Sequence, residues 1–142
     1  MSASTKLSNA VKALCYLSQS FPSPRNSQEI AKNTGLNASK LRMILSMLAK
    51  NKIVESSQGT NGGFVLKKNP TEIHLQEIYC AVEDRKAFHL DVTKTNGNNI
   101  NDTLKLNDFF LNLFSNIQVD IEEKMRKINL ESIINKTKNN QL

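Results

Sequence analysis

Between residues 26 and 68 the chain reads NSQEIAKNTG, then LNASKLRMILSMLAKNKIVESS, then QGTNGGFVLKK. A short amphipathic helix, a glycine turn, a longer helix and a glycine-tipped pair of strands follow one another with no room for a linker. This order is a helix-turn-helix with a hairpin attached. The rest of the chain has to pack beneath that unit or pair two copies of it.

Within the unit, Asn26 with Glu29 three residues on fits a capping box, and Ser27 is an equally good cap. Ile30 and Ala31 face inward, Gly35 supplies the turn, and Leu36 anchors it to the core. Asn37 caps the next helix, whose apolar stripe is Leu41, Ile44, Leu45 and Leu48. Ser39, Arg42, Met43, Ser46 and Lys50 point away from that stripe, with Lys40 near the start. Such an outer face, with short polar groups, an arginine, a methionine and no acid, can lie in a major groove. Peripheral core packing is the competing reading for Met43 and the preferred one for Met47.

Residues 53–56 and 64–66 read as strands, and Asn61-Gly62 marks a hairpin because both positions tolerate a left-handed turn. Gln58, Thr60 and Asn61 give the loop tip hydrogen-bonding groups without negative charge, suited to a phosphate backbone or a minor groove. Lys67 and Lys68 follow on the returning strand. Glycine-rich loops also cradle nucleotide phosphates, but the Walker and dinucleotide spacings are absent.

On either side of this unit the pattern is helical. Leu7, Ala10, Val11, Leu14, Cys15 and Leu17 make one buried face of a helix over residues 6–20, closed by Pro22 and Pro24. After Asn69-Pro70, residues 71–83 read as another helix, with Ile73 docking before it starts and Leu75, Ile78, Tyr79 and Val82 at packing intervals. In the next stretch Ala87, Phe88, Leu90 and Val92 could pack, while TKTNGNNIN (93–101) reads as a polar loop. From residue 102 onward there is neither Pro nor Gly. Leu106, Phe109, Phe110, Leu113, Phe114, Ile117, Ile121, Met125 and Ile128 continue one apolar stripe along a single long helix, with residues 135–142 fraying. That is more apolar face than so small a domain covers, so the helix reads as a dimer contact through Phe110, Phe114, Ile117, Ile121, Met125 and Ile128. An intrachain helical cap is the alternative.

Charge is divided unevenly. Residues 1–70 hold ten Lys/Arg against Glu29 and Glu55, a net +8, whereas residues 71–142 hold nine against eleven acids, a net −2. A basic half that coincides with the helix-turn-helix is what a polyanion-binding surface needs, although a solubility charge gives the same count. No apolar run spans a bilayer and no secretory signal is found, so a cytoplasmic protein without membrane contact is expected.

Few residues suggest chemistry. Cys15 and Cys80, the only cysteines, lie in apolar helical patterns and read as reduced core thiols. They are also the only candidates for a thiol redox sensor, but lack a CxxC arrangement or a flanking basic pair. His74 and His89 sit among apolar neighbours. Asp84, His89 and Asp91 do not share a face, so no metal site is expected. GxSxG, HExxH and paired pocket carboxylates are absent, and no enzyme is expected.

Three segments together resemble the Rrf2 family of bacterial winged-helix transcription regulators: KLSNAVKALCYLS (6–18), SQEIAKNTGLNASKLRMILSMLAKNKIVESSQGTNGGFVL (27–66) and PTEIHLQEIYCAVE (70–83). The resemblance is strong over roughly the first 83 residues and weak afterwards. It implies a mainly α fold with a small β-hairpin wing: a winged helix-turn-helix domain over residues 1–83, a connecting segment over 84–101, and a dimerisation helix with a tail over 102–142. It also implies a homodimer on double-stranded DNA, with Ser39, Lys40, Arg42 and Met43 toward the bases and Gln58 and Thr60 on the wing; the helix face and the loop tip add Ser46 and Asn61 as DNA-binding candidates.

Well-known members hold an iron–sulfur cluster through three cysteines between the post-wing helix and the dimerisation helix. This sequence has no cysteine there, so no cofactor is expected, because such a cluster needs several thiolate ligands. The resulting expectation is a homodimeric, sequence-specific DNA-binding regulator, a repressor at an inverted repeat, answering to a small-molecule or protein effector. A winged-helix protein-interaction module is the runner-up, distinguished by correct folding without DNA binding. An RNA regulator would need an aromatic stacking platform that the sequence lacks.

Overall fold

The computed structural model describes residues 5–83 and 100–139. Six helices and one two-stranded hairpin follow in the order α1 (Thr5–Ser20), α2 (Ser27–Thr34), α3 (Ala38–Lys50), β1 (Val54–Ser57), β2 (Gly63–Leu66), α4 (Leu75–Val82), α5 (Ile100–Arg126) and α6 (Leu130–Asn139). The fold class is the one expected, mainly α with a β-hairpin wing.

One core holds the first four helices and the hairpin together. Ala10, Ala13, Leu14 and Leu17 of α1 meet Ile30 of α2, the full stripe Leu41, Ile44, Leu45 and Leu48 of α3, and Ile78 and Val82 of α4. Ile53, Val54 and Leu66 carry the same core under the base of the hairpin, and Leu36 packs against it from the turn. Each fully buried leucine, isoleucine or valine contributes about 1.5–3 kcal/mol by leaving water.

Local chemistry places the helix-turn-helix. Asn26 Oδ1 accepts from the Glu29 N–H at 2.8 Å and its Nδ2 donates to Glu29 Oε1 at 3.1 Å. Gly35 closes α2 with φ 73°, its N–H donating to the Ala31 carbonyl. Two residues later Asn37 Oδ1 accepts from the Ser39 and Lys40 N–H groups. Both helix starts therefore have side-chain acceptors for otherwise orphaned donors.

The hairpin departs from the expected turn. Strand pairing runs antiparallel from Val54↔Leu66 to Ser57↔Gly63, leaving a five-residue loop over 58–62. Asn61 and Gly62 do not take the left-handed conformation. The positive φ falls at Gly59, 106°, and the Gly62 N–H closes a turn on the Gly59 carbonyl at 3.0 Å. Gly62 is needed for space instead, because a Cβ there would collide with the Ser57 carbonyl oxygen.

Two helices differ from expectation further along. Residues 70–72 form a 3₁₀ turn, so α4 starts at Leu75 rather than Thr71, with Ile73 fully buried between them. The long helix stops at Arg126. There the Ile128 carbonyl accepts from the Leu75 N–H at 2.8 Å, the Leu130 N–H donates to the Ile73 carbonyl at 2.8 Å, and Asn129 Oδ1 caps Ser132 of α6. This backbone clamp between residues 73–75 and 128–130 supplies the hydrogen bonds that helix continuation would otherwise provide. Ile128 consequently lies beyond the α5 stripe. Leu130 is fully buried in the same core as α1–α4, and α6 runs helically to Asn139 where fraying was expected.

Residues 84–99, including Asp84, Ala87, Phe88, His89, Leu90, Asp91 and Val92, lie outside the described residues. No described helix is long and apolar enough to cross a membrane.

Candidate nucleic-acid interface

The outer side of α3 carries the residues singled out from sequence. Ser39, Lys40, Arg42, Met43 and Ser46 are all exposed, Met43 by 46%. Ser39, Arg42, Met43 and Ser46 repeat at three- and four-residue steps, so they share one face, opposite the buried Leu41, Ile44, Leu45 and Leu48. Neither Lys40 nor Arg42 forms an ion pair with another described residue. Both charges are therefore available to an external anion. Met47 is half-buried against the core, as preferred from sequence.

On the wing, Gln58, Thr60 and Asn61 are exposed at the loop tip, and Lys67 is exposed at its base. Lys68 is engaged elsewhere. Its Nζ lies 2.8 Å from Glu77 Oε2, while Glu77 Oε1 accepts from the His74 N–H at 3.0 Å. That carboxylate fastens the end of the hairpin to the start of α4, so Lys68 serves the fold.

Two cations beside this surface escaped sequence reasoning. Arg25 exchanges both backbone hydrogen bonds with Phe64, at 2.9 and 2.7 Å, and so extends the hairpin edge. Its guanidinium is half-exposed and only loosely held by Glu29 at 3.7 Å, an exposed pair of little energetic weight. The available signal was the extended connection imposed by Pro22 and Pro24, which is the conformation an edge strand needs. Lys52 turns the chain from α3 into β1 with φ 61°, the one left-handed non-glycine residue among those described. Nothing in its flanking sequence marks it.

The cysteines separate into two environments. Cys15 is half-buried in α1, and burial pushes its thiol up, disfavouring the thiolate that redox chemistry requires. Cys80 is exposed rather than a core thiol, and its Sγ accepts from Gln76 Nε2 at 3.3 Å. It sits two residues from both Ile78 and Val82, about 200° around the helix from each. Nearby, burial first and then Glu83, Cys80 and Glu122 push the Tyr79 hydroxyl up.

A second exposed surface is apolar. Leu106, Phe109, Phe110 and Leu113 occupy one face of α5, Phe109 being 61% exposed. The Phe109 and Phe110 rings meet edge-on at 5.7 Å, and Phe114 stands 6.3 Å from Phe110. Phe114, Ile117, Ile121 and Met125 continue toward α4 and are half-buried.

Comparison with known proteins points one way. The HTH-type transcriptional regulator IscR of Photorhabdus laumondii is 34% identical over 69 residues, 49% of this chain. The IscR of Escherichia coli K12 is 32% identical over the same length. The chain spans about two fifths (40%) of the length of these curated relatives. Among solved structures, T. potens IscR superposes with a TM-score of 0.73 at 23% identity, over 100% of this chain and 92% of that one. CymR, the global cysteine regulator of B. subtilis, superposes with a TM-score of 0.70 at 20% identity, over 95% and 97%. These structural likenesses establish the fold. The relatives are transcriptional regulators rather than enzymes.

The Rrf2 family model, described as an iron-dependent transcriptional regulator, matches residues 3–136. The residues present do not fit an iron–sulfur cluster. The chain has two cysteines in all, one half-buried in α1 and the other exposed on α4, whereas such a cluster takes three or four thiolate or imidazole ligands converging on it. Among the described residues no three His, Cys, Asp or Glu side chains gather as a metal site. With a family match over nearly the whole chain and a winged helix-turn-helix fold, this protein belongs to the Rrf2 family of transcriptional regulators.

Proposed function

We propose that this regulator is a homodimer that binds double-stranded DNA sequence-specifically in the cytoplasm and represses by occupying a promoter. The observation that carries the reading is the exposed face of α3, with Ser39, Arg42, Met43 and Ser46 aligned, Lys40 beside them and no acid on the helix. Arg42 is assigned to a guanine edge, where a guanidinium donates two parallel hydrogen bonds. Lys40 is assigned to phosphate, with Gln58, Thr60 and Asn61 on the flanking backbone. Such contacts position the protein and make its affinity depend on salt.

Pairing is assigned to α5. Its exposed apolar face, centred on Phe110 and leading into Phe114, Ile117, Ile121 and Met125, is buried by a second copy. Ile128 is the outermost member of that set. Two copies related by a twofold axis read an inverted repeat with half-sites about 34–36 Å apart, or a multiple of that.

Selection of bound fragments from random duplex DNA is the direct test. Recovery of a palindromic consensus, bound with a salt-dependent affinity, is the expected result. Failure of every duplex to bind above background at low salt would leave the fold serving protein interaction instead.

A further inference from the structure

A cleft of about 430 Å³ opens between α1, the end of α2 and the middle of α6. It lies within the roughly 300–1,000 Å³ typical of small-molecule sites. Its walls divide by chemistry. Val11, Cys15 and Ile133 give an apolar side, while Lys12, Tyr16 and Asn33 give a polar mouth.

The polar groups are arranged to donate. Among the described residues Lys12 is the only charged side chain lining the cleft, and it has no ion pair with another of them. Asn33 Nδ2 donates to Tyr16 Oη at 3.1 Å and to the Glu29 carbonyl at 2.8 Å. The tyrosine oxygen is thereby used as an acceptor, which leaves its own proton to donate outward. Lys12 and Tyr16 both line the cleft and stand one turn apart on α1, the spacing at which two helical side chains are neighbours. Two such donors suit one carboxylate through charge-assisted hydrogen bonds. A cation would be repelled, and a phosphate dianion would face only one positive charge.

We propose that this cleft binds a small monocarboxylate with an apolar body, the carboxylate held by Lys12 and Tyr16 and the body lying against Val11, Cys15 and Ile133. An occupant ties α6 to α1 and α2, bridging the segment that leaves α5 and the helix that leads into α3. The binding goes beyond the DNA-binding reading and does not depend on it.

Fluorine NMR titration with para-trifluoromethylbenzoate and its neutral partner para-trifluoromethylbenzamide tests the assignment on the full chain. Saturable benzoate binding about tenfold or more tighter than the amide is expected, the discrimination of one charge-assisted contact. Lys12→Gln and Tyr16→Phe should each bring the benzoate toward the amide's affinity. Thr137→Trp, at the cleft's exposed rim, should weaken both probes, with an unchanged thermal melt showing that the fold persists. Backbone amide shifts should map to α1, α2 and α6. Equal binding of the two probes, no binding of either, an unchanged preference in Lys12→Gln, or shifts confined to the apolar face of α5 would each overturn the proposal.

Discussion

The outer faces of α3 and α5 are both exposed, yet they are opposite in chemistry. On α3 the exposed groups apart from Met43 are short and polar or cationic, the cations without an ion pair among the described residues, on a helix whose opposite stripe is buried. On α5 they are leucines and phenylalanines, mounted on a helix that packs on α4 and adds no residue to the core. A polar face on a rigid base suits a hydrated, charged partner whose binding weakens with salt. An apolar face suits a partner that removes it from water, and added salt hardly weakens that attraction. In the proposed function, that contrast separates reading and assembly onto different helices.

The comparison is broken most severely by putting charge on the apolar face. Phe109→Asp with Phe110→Asp should abolish pairing, since two phenylalanines lose burial on each of two copies, about 4 kcal/mol or more per dimer. Sedimentation should show monomers with an unchanged helical spectrum; a persisting dimer would reassign that face. Next in size is Leu130→Ala, expected to cost about 2–5 kcal/mol of folding stability in urea titrations. It separates apolar surface from apolar core, because a loss below 1 kcal/mol would mean that α6 is not part of the domain. Arg42→Ala should cost about 1–3 kcal/mol on the selected operator and less on random duplex, with Lys40→Gln lowering the salt slope by about one. Equal losses on both duplexes would demote Arg42 to a phosphate contact. The smallest effect is a gain. Lys52→Gly should raise stability by about 0.5–1 kcal/mol by relieving a left-handed residue, seen as a higher Tm. A simultaneous fall in salt slope would add Lys52 to the DNA-facing cations.

What the sequence made legible was whatever local chemistry decides. Asn26 with Glu29, Gly35 and Asn37 set helix ends through hydrogen bonds to residues a few positions away, and the stripe of α3 follows from helical period alone. What stayed hidden depends on distant backbone. Asn61-Gly62 has a favourable turn composition, but Gly62 packs over the Ser57 carbonyl and the left-handed residue moves to Gly59. The break after Arg126 contains no Pro or Gly because Ile73 and Leu75 supply the hydrogen bonds from the far side of the domain. Cys80 resembles a core residue by composition, but Ile78 and Val82 take the buried face of α4 and helical period turns Cys80 to the other side. On the candidate interface, the α3 positions were readable by period, whereas Arg25 and Lys52 owe their places to strand pairing and a strained turn.

The junction at residues 128–130 has a mechanical consequence. With its far end stapled to the body of the domain, α5 stands as a strut about 40 Å long, and its base does not swivel like a flexible tether. In the proposed pair, any tilt where two struts cross is passed as a rigid rotation to each α3. The distance between the two reading heads is then fixed by an angle. An operator with one base pair inserted between its half-sites would meet a stiff calliper and not a hinge.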